Sequence, residues 1–498
     1  MLYALLNTAL LLLAIKVVYR YLTNRSSLPY PPGPPGDFII GHLRQVPSKY
    51  PWLVYTAWAH KYGPINYINL VGEPIVIVNT HEVALDLLEK RSAIYSGRPR
   101  FVMACELGGL DQFLSLMDSS PGHKKQRKIM AQALHPRVVA RDFAPIQERF
   151  AHQLTKDLLD SPDSFKSLFE RSMGNIIQTI AYGEDDGDID FVELGRSNMS
   201  HIHAVVRGYI VEWFPWLKYI PEWFPGARFQ RVARTVKEVS KRAQWLPYNM
   251  VKAKVANGTA TPSYVVRALD VMESSGDSDI SEELISMTAT VLFTAATEQL
   301  SGTLSTFILA MLLHPDVQAR VQDELDRVFG DHLPTFANRE STPYLNAVIT
   351  ETFRWRPIVP IDLPHRLKQD DVYNGYFIPA GTRVLVNIWG ILQNETHFPD
   401  PTKFDPDRFL SGSPASQDAS ASRPDPLNVI FGYGGRTCPG VHVAQSGLWI
   451  AMATILYCFD IRPKIDPATM KPMVPELSFT GNSIRHVAAF CALLKIRD

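Results

Sequence analysis

The sequence predicts a mainly α fold with a small β part, built as one large unit behind an apolar N-terminal helix. Three observations predict it. Apolar residues recur at helical spacing through most of residues 37–498, one helical run from Asp279 to Leu313 is about 35 residues long, and only a few short apolar runs late in the chain read as strands. With 498 residues, 46% of them apolar, the chain can bury a substantial core, which excludes whole-chain disorder, collagen and coiled coil. Fifty Lys+Arg balance fifty Asp+Glu, so no general field draws the protein to nucleic acid. Four cysteines without a CxxC pair exclude a disulfide framework, a zinc ribbon and thioredoxin chemistry, so a cysteine that matters here acts alone.

Taken in order, residues 1–22 predict a transmembrane anchor. Leu2 to Ile15 carry no charge, and the span reaches the ~20 residues a bilayer needs only if Lys16 and Arg20 snorkel. A cleaved signal peptide is the alternative, but the basic residues follow the apolar run, and LTNRSS offers no small-x-small cleavage site. Lys16, Arg20 and Arg25 predict that this flank stays cytosolic, which places the body on the cytosolic face of the endoplasmic reticulum membrane. Sequons at Asn24, Asn198, Asn257 and Asn394 would carry glycans only if the body were lumenal. Residues 23–36 contain LPYPPGPPG, a stiff extended linker, and residues 37–498 follow without a repeat or a second such linker.

Within that unit HKKQRKIM (His123–Met130) is a basic helical run, suited either to an acidic partner or to plain solvation. The segment Val211–Pro225 concentrates three Trp, two Phe and a Tyr, which suits contact with a membrane interface; a packed core connection is the alternative. The helix from Asp279 to Leu313 is apolar on nearly every side in its middle, yet carries Thr294, Thr297, Glu298, Gln299 and Ser301. Buried polar groups are costly unless satisfied, so these are either a core network or a functional cluster. In YLNAVITETFRW, Glu351 and Arg354 share a helix face at ion-pair spacing. YFIPAG and TRVLVNIW read as strands, and Ser411–Pro426 as an exposed loop.

Cys438 lies in FGYGGRTCPGVHV, where a glycine-rich loop delivers it to the start of an apolar helix. Helix N-terminal N–H groups favour a thiolate, the form that binds metal. The surrounding glycines admit a flat ligand, and Arg436 suits a carboxylate of that ligand. No Rossmann GxGxxG, P-loop, GxSxG or HExxH competes.

This segment resembles the haem-binding signature F-x-x-G-x-R-x-C-x-G of the cytochrome P450 family, with Phe431, Gly434, Arg436, Cys438 and Gly440 all in place. The resemblance extends over nearly the whole chain and is strongest toward fungal microsomal members of secondary metabolism, including the O-methylsterigmatocystin oxidoreductase group. It implies the P450 fold as a single catalytic domain with haem b between the long helix and the Cys438 helix. It also implies Cys438 as the iron ligand, His365, Arg436, Arg127 and His123 near the haem propionates, and Glu351, Arg354 and Arg408 as a charge network behind the cysteine loop. Val359, Ile361, Phe479 and Thr480 match pocket-wall regions, and Asp362 reads as solvated.

Two positions depart from the family pattern. The acid of the long helix is present as Glu298, but Gln299 stands where the family has threonine, so Thr297, Glu298 and Gln299 are the candidates for proton handling. His123 stands where the family commonly has Trp. The expected function is a membrane-anchored haem-thiolate monooxygenase, fed by an NADPH-dependent reductase, that hydroxylates a lipophilic secondary metabolite: a terpenoid first, an aromatic or indole compound second. A haem-thiolate isomerase or dehydratase and a non-catalytic haem-binding scaffold are the alternatives.

Overall fold

The computed structural model describes residues 27–185, 187, 189–206, 208–275, 280–412, 423–475, 479, 480, 485, 487 and 492–497. The expected anchor, Asp279 and most of the Ser411–Pro426 loop fall outside these residues. The linker's second half is extended but docked: the Pro32 carbonyl accepts from Tyr67 N–H at 3.0 Å, the Pro29 carbonyl accepts from Phe377 N–H at 2.8 Å, and Tyr30 stacks on Tyr67.

The principal helices are α1 (Pro51–Tyr62), α2 (Pro121–Ala133), α3 (Ala144–Asp160), α4 (Phe165–Tyr182), α5 (Phe191–Val205), α6 (Arg228–Ala256), α7 (Tyr264–Ser275), α8 (Glu282–Leu313), α9 (Pro315–Phe329), α10 (Pro343–Trp355) and α11 (Val441–Cys458). Their starts follow local chemistry. Ser120 caps α2 by accepting from His123 N–H, Asp190 caps α5, and Ser281 caps α8 by accepting from Leu284 N–H at 3.2 Å, so the long helix starts at a serine cap rather than at the expected Asp279. It ends where His314 breaks the helical angles ahead of Pro315, and α9 leaves at 106°.

Four strands form the main sheet: β1 (Ile65–Leu70), β2 (Glu73–Val78), β3 (His365–Arg366) and β6 (Arg383–Val386), in the order β1-β2-β6-β3. β1 and β2 are antiparallel through the two-residue turn Val71–Gly72, both at positive φ, while β2 and β6 run parallel. That turn puts a β-branched residue where Asn or Gly is usual. The strands expected in YFIPAG and TRVLVNIW are β5 (Tyr376–Ile378), which pairs with β4 (Asp371–Tyr373), and β6. β7 (Phe459–Pro463) pairs with β8 (Ala492–Ile496).

α8 runs through the largest apolar cluster, packed by α4, α5, α6, α7, α10 and α11. Among the described residues α11 is the one unbroken helix long and apolar enough to cross a membrane, but most of it is buried in this core. Asn198 is also fully buried, donating to Thr294 Oγ1 at 3.2 Å and accepting from Ser240 Oγ at 2.9 Å, so its sequon is closed to glycosylation in the folded chain.

Candidate functional site

The loop before α11 is shaped by short bonds and one obligatory glycine. Cys438 N–H donates to the Phe431 carbonyl at 2.7 Å, Thr437 Oγ1 donates to the Gly434 carbonyl at 3.0 Å, and Gly435 N–H donates to Ser92 Oγ at 3.0 Å. Gly434 has φ +53°, and a Cβ there would sit 2.3 Å from the Leu88 carbonyl oxygen. Gly440 is freer, since its Cβ would meet only Cys438 Sγ at 3.8 Å. The Phe431 ring packs edge-on to Phe353 of α10, 5.9 Å between centroids. Cys438 is solvent-accessible although it lies deep among protein atoms, as an internal chamber would make it. Burial pushes its thiol up, and the Gly440 N–H and the Arg127 charge only partly oppose this. The helix-start N–H of Gly440 acts toward the thiolate, as the sequence led one to expect, while burial without a metal acts against it.

Beside the loop four basic groups converge. Arg436 donates to the Ser96 carbonyl at 2.9 and 2.7 Å and to the Met117 carbonyl at 2.9 Å, with its Nη1 2.7 Å from His123 Nε2. Arg127 Nη2 donates to the Thr437 carbonyl at 2.5 Å. Arg98, which sequence reasoning missed, is buried and donates to the carbonyls of Ser115, Leu363 and Pro364. Burial and mutual repulsion lower Arg436 to about 9 and, with these arginines, pull His123 down to about 4; burial lowers Arg98 to about 10. Of the acids that act on Arg98, Asp362 and Asp118, the latter is already engaged by Arg366 at 2.6 Å and by the N–H groups of Arg98 and Ser119.

A neutral His123 that accepts at Nε2 carries its proton on Nδ1, and that atom is buried without a partner. Three crowded guanidiniums and one unanswered N–H fit a ligand that brings carboxylates, as haem does with its propionates. His365 is held differently: Nδ1 lies 3.0 Å from the Tyr95 carbonyl and Nε2 3.3 Å from Asp362 Oδ2, so both nitrogens face protein groups. Asp362, expected in solvent, instead accepts from Val386 N–H at 2.7 Å and faces His365.

Buried residues flank α8 on both sides of one open stretch. Ala295 to Glu298 are half-buried and Gln299 is exposed, which corrects the expectation of an all-round buried middle. Thr297 donates to the Phe293 carbonyl at 3.1 Å and packs its methyl toward Gly174 of α4, while Gln299, ~200° round the helix, points elsewhere. Glu298 Oε2 lies 3.6 Å from His203 Nε2 on α5.

The three members of the charge network do meet. Arg354 makes a bidentate pair with Glu351 at 2.6 and 2.8 Å and donates to the carbonyls of Leu392, Pro401 and Lys403. Asp405 N–H donates to Glu351 Oε1 at 2.7 Å, and Arg408 Nε lies 3.8 Å from the same oxygen. The network thus binds α10 to residues 392–408, and Phe353 carries the contact on to Phe431. Of the expected pocket wall, Val359 and Thr480 are half-buried, Phe479 lies under the Arg485 guanidinium at 4.0 Å, and Ile361 packs instead with Tyr55, Ile68, Ile75 and Ile77.

Comparison with known proteins agrees with this geometry. The family model for cytochrome P450 matches residues 31–485. The chain belongs to the cytochrome P450 family. It is 36% identical over 485 residues to cytochrome P450 monooxygenase 105 of Postia placenta, covering 96% of this chain and 91% of the relative. It is 37% identical over 476 residues to tryptamine 4-monooxygenase of Psilocybe cyanescens, covering 94% and 92%. It is 33% identical over 494 residues to cytochrome P450 monooxygenase claT of Ampulloclitocybe clavipes, covering 98% and 95%. The protein is a P450 monooxygenase whose cofactor is haem iron and whose electrons come from a redox partner. The isomerase and scaffold alternatives give way to that activity.

Proposed function

We propose that this P450 is anchored in the endoplasmic reticulum membrane by residues 1–22, with residues 37–498 as its cytosolic catalytic unit. There it hydroxylates a lipophilic secondary metabolite with electrons from an NADPH-dependent reductase. The observation that carries the reading is the accessible thiol of Cys438 beside Arg98, Arg127, Arg436 and the unanswered His123 Nδ1–H. Cys438 would hold the iron and the basic cluster the propionates. Bound there, haem iron supplies dioxygen activation, which a thiolate ligand favours by donating electron density.

The chain's own residues would handle protons and substrate. Gln299 offers one amide as donor and acceptor at the open stretch of α8, and Glu298 holds a carboxylate beside it. Thr297, engaged with the Phe293 carbonyl, supports the helix instead. Exposed Ile210, Trp216, Tyr219 and Trp223 on the segment between α5 and α6 suit contact with lipid and entry of an apolar substrate from it. Lys124 and Lys128, exposed on α2, suit an acidic reductase face.

A terpenoid remains the first substrate class. The relative that acts on tryptamine supports an indole as the second. The test is reconstitution of the full chain with reductase and NADPH under isotopically labelled dioxygen, offering sesquiterpene hydrocarbons and tryptamine. A hydroxylated product carrying one labelled oxygen atom is expected; NADPH consumption with no labelled product from either class would reject the substrate reading.

A further inference from the structure

Where α1 begins, aromatic rings close around one guanidinium. Arg485 Cζ lies 4.0 Å from the Phe479 ring centroid, 4.6 Å from that of Trp389 and 5.6 Å from that of Trp52. The Arg485 backbone N–H donates to the Ile358 carbonyl at 2.7 Å, which pins it to the chain just beyond Arg356. Arg356, at the end of α10, has its own Cζ 5.3 Å from the same Trp389 ring and 4.5 Å from Trp355. Tyr50 Oη donates to the Phe479 carbonyl at 3.0 Å and ties the cage to the start of α1.

Rings answer part of a cation's charge but none of its in-plane N–H groups. Arg485 is 5% exposed, and its Nε and Nη1 are buried without a hydrogen-bond partner; among the described residues it is the one arginine with two such nitrogens. Among the described residues no acid answers the pair either. The groups that act on Arg485 are Arg356, which repels it, and the Tyr50 phenol. Glu351, the acid that acts on Arg356, is already bidentate with Arg354 at 2.6 and 2.8 Å. Burial and the charge of Arg356 lower Arg485 to about 9, and burial and the charge of Arg354 lower Arg356 to about 10. Two such charges in one cage are costly until an anion joins them.

We propose that the cage of Arg356 and Arg485 binds a phosphate group, with the Arg485 fork as its principal donor; the inference goes beyond the monooxygenase function and does not depend on it. A phosphate carries oxygens on several sides, so it can accept from one fork while a second positive charge stands beside it, whereas a carboxylate offers two oxygens in one plane. Arg356, Trp389 and Phe479 are half-buried and Tyr50 is 39% exposed, so the cage has an open rim through which a ligand enters. Leu53, in the first turn of α1, is exposed and gives that rim an apolar edge. A phospholipid headgroup and a free phosphate present the same chemistry there.

The experiment compares the native chain with Arg485→Gln, Arg485→Lys and Arg356→Gln, each full-length and haem-loaded so that the basic cluster beside Cys438 is occupied. The thermal unfolding midpoint is read in maltoside detergent as inorganic phosphate replaces chloride at constant ionic strength. It is read again in vesicles of phosphatidylcholine and in vesicles of an uncharged galactolipid, which has no phosphorus. With a free phosphate as ligand, the native midpoint rises saturably; Arg485→Gln weakens half-saturation by about tenfold or more, and Arg485→Lys, which keeps the charge without the fork, falls between. With a headgroup as ligand, the native chain is more stable in phosphatidylcholine than in galactolipid, and Arg485→Gln abolishes that difference. Arg356→Gln carries the same comparison if Arg485→Gln does not fold. A native midpoint indifferent to both phosphate and phospholipid, or shifts of equal size in the native chain and the variants, would overturn the site and leave the two arginines as aromatic packing alone.

Discussion

His123 shows how one residue's surroundings decide its chemistry. The imidazole is neutral because burial and three arginines lower it to about 4, against an ordinary value near 6.5. Between those two values the unfolded chain binds a proton that the folded chain refuses, so stability falls as pH drops from about 6.5 toward 4. His123→Trp keeps one N–H donor and removes the titration. It should flatten the loss of the unfolding midpoint over that window, as measured by urea titration at several pH values; an unchanged slope would mean that other groups set the acid limit. Residues with fixed local spacing, such as Cys438 with Arg436, were legible in the sequence. Arg98 and Asp118 were not, because each acquires its partners through space from segments that no periodicity links to it.

At the scale of elements, buried polar joints do what apolar packing alone would leave loose. Glu351, Arg354 and Arg408 are almost wholly buried, and removing one partner strands a charge. Glu351→Ala should cost about 3–5 kcal/mol in urea unfolding and weaken haem retention. A second joint holds the aromatic segment: Glu212 accepts from Val102 and Met103 N–H at 3.0 and 2.8 Å, tying it to the short helical segment Val102–Leu107. Glu212→Ala leaves those donors unanswered, at about 1–3 kcal/mol. The cut sites of limited proteolysis should then shift to residues 209–226, whereas an unchanged pattern would show the joint to be dispensable. The Glu351–Arg354 pair was visible as i,i+3 spacing, but its burial was not, since spacing alone also describes a surface pair. The open stretch Ala295–Gln299 was hidden for a similar reason: hydropathy records how apolar a helix is, not which face its neighbours leave uncovered.

Across the whole molecule, the sequence foretold the mainly helical order, the position of α8 and the late strands, because long apolar runs and proline stops are local signals. It did not foretell that the linker docks on β1 and β5, since PPII segments carry no pattern that names a partner. The exposed Trp216, Tyr219 and Trp223 make a whole-molecule prediction. In the full chain, Trp216→Ser/Trp223→Ser should reduce tryptophan quenching by brominated lipid vesicles, and equal quenching would place this segment away from lipid. The central claim is that Cys438 supplies the iron's thiolate within the basic cluster. Its most direct test is the carbon monoxide difference spectrum of the reduced full chain beside Cys438→Ser. The native protein should show the red-shifted Soret band of thiolate-ligated haem, and the variant should lose it with its helical circular dichroism intact; a native band typical of histidine ligation, or one that survives in Cys438→Ser, would contradict the account.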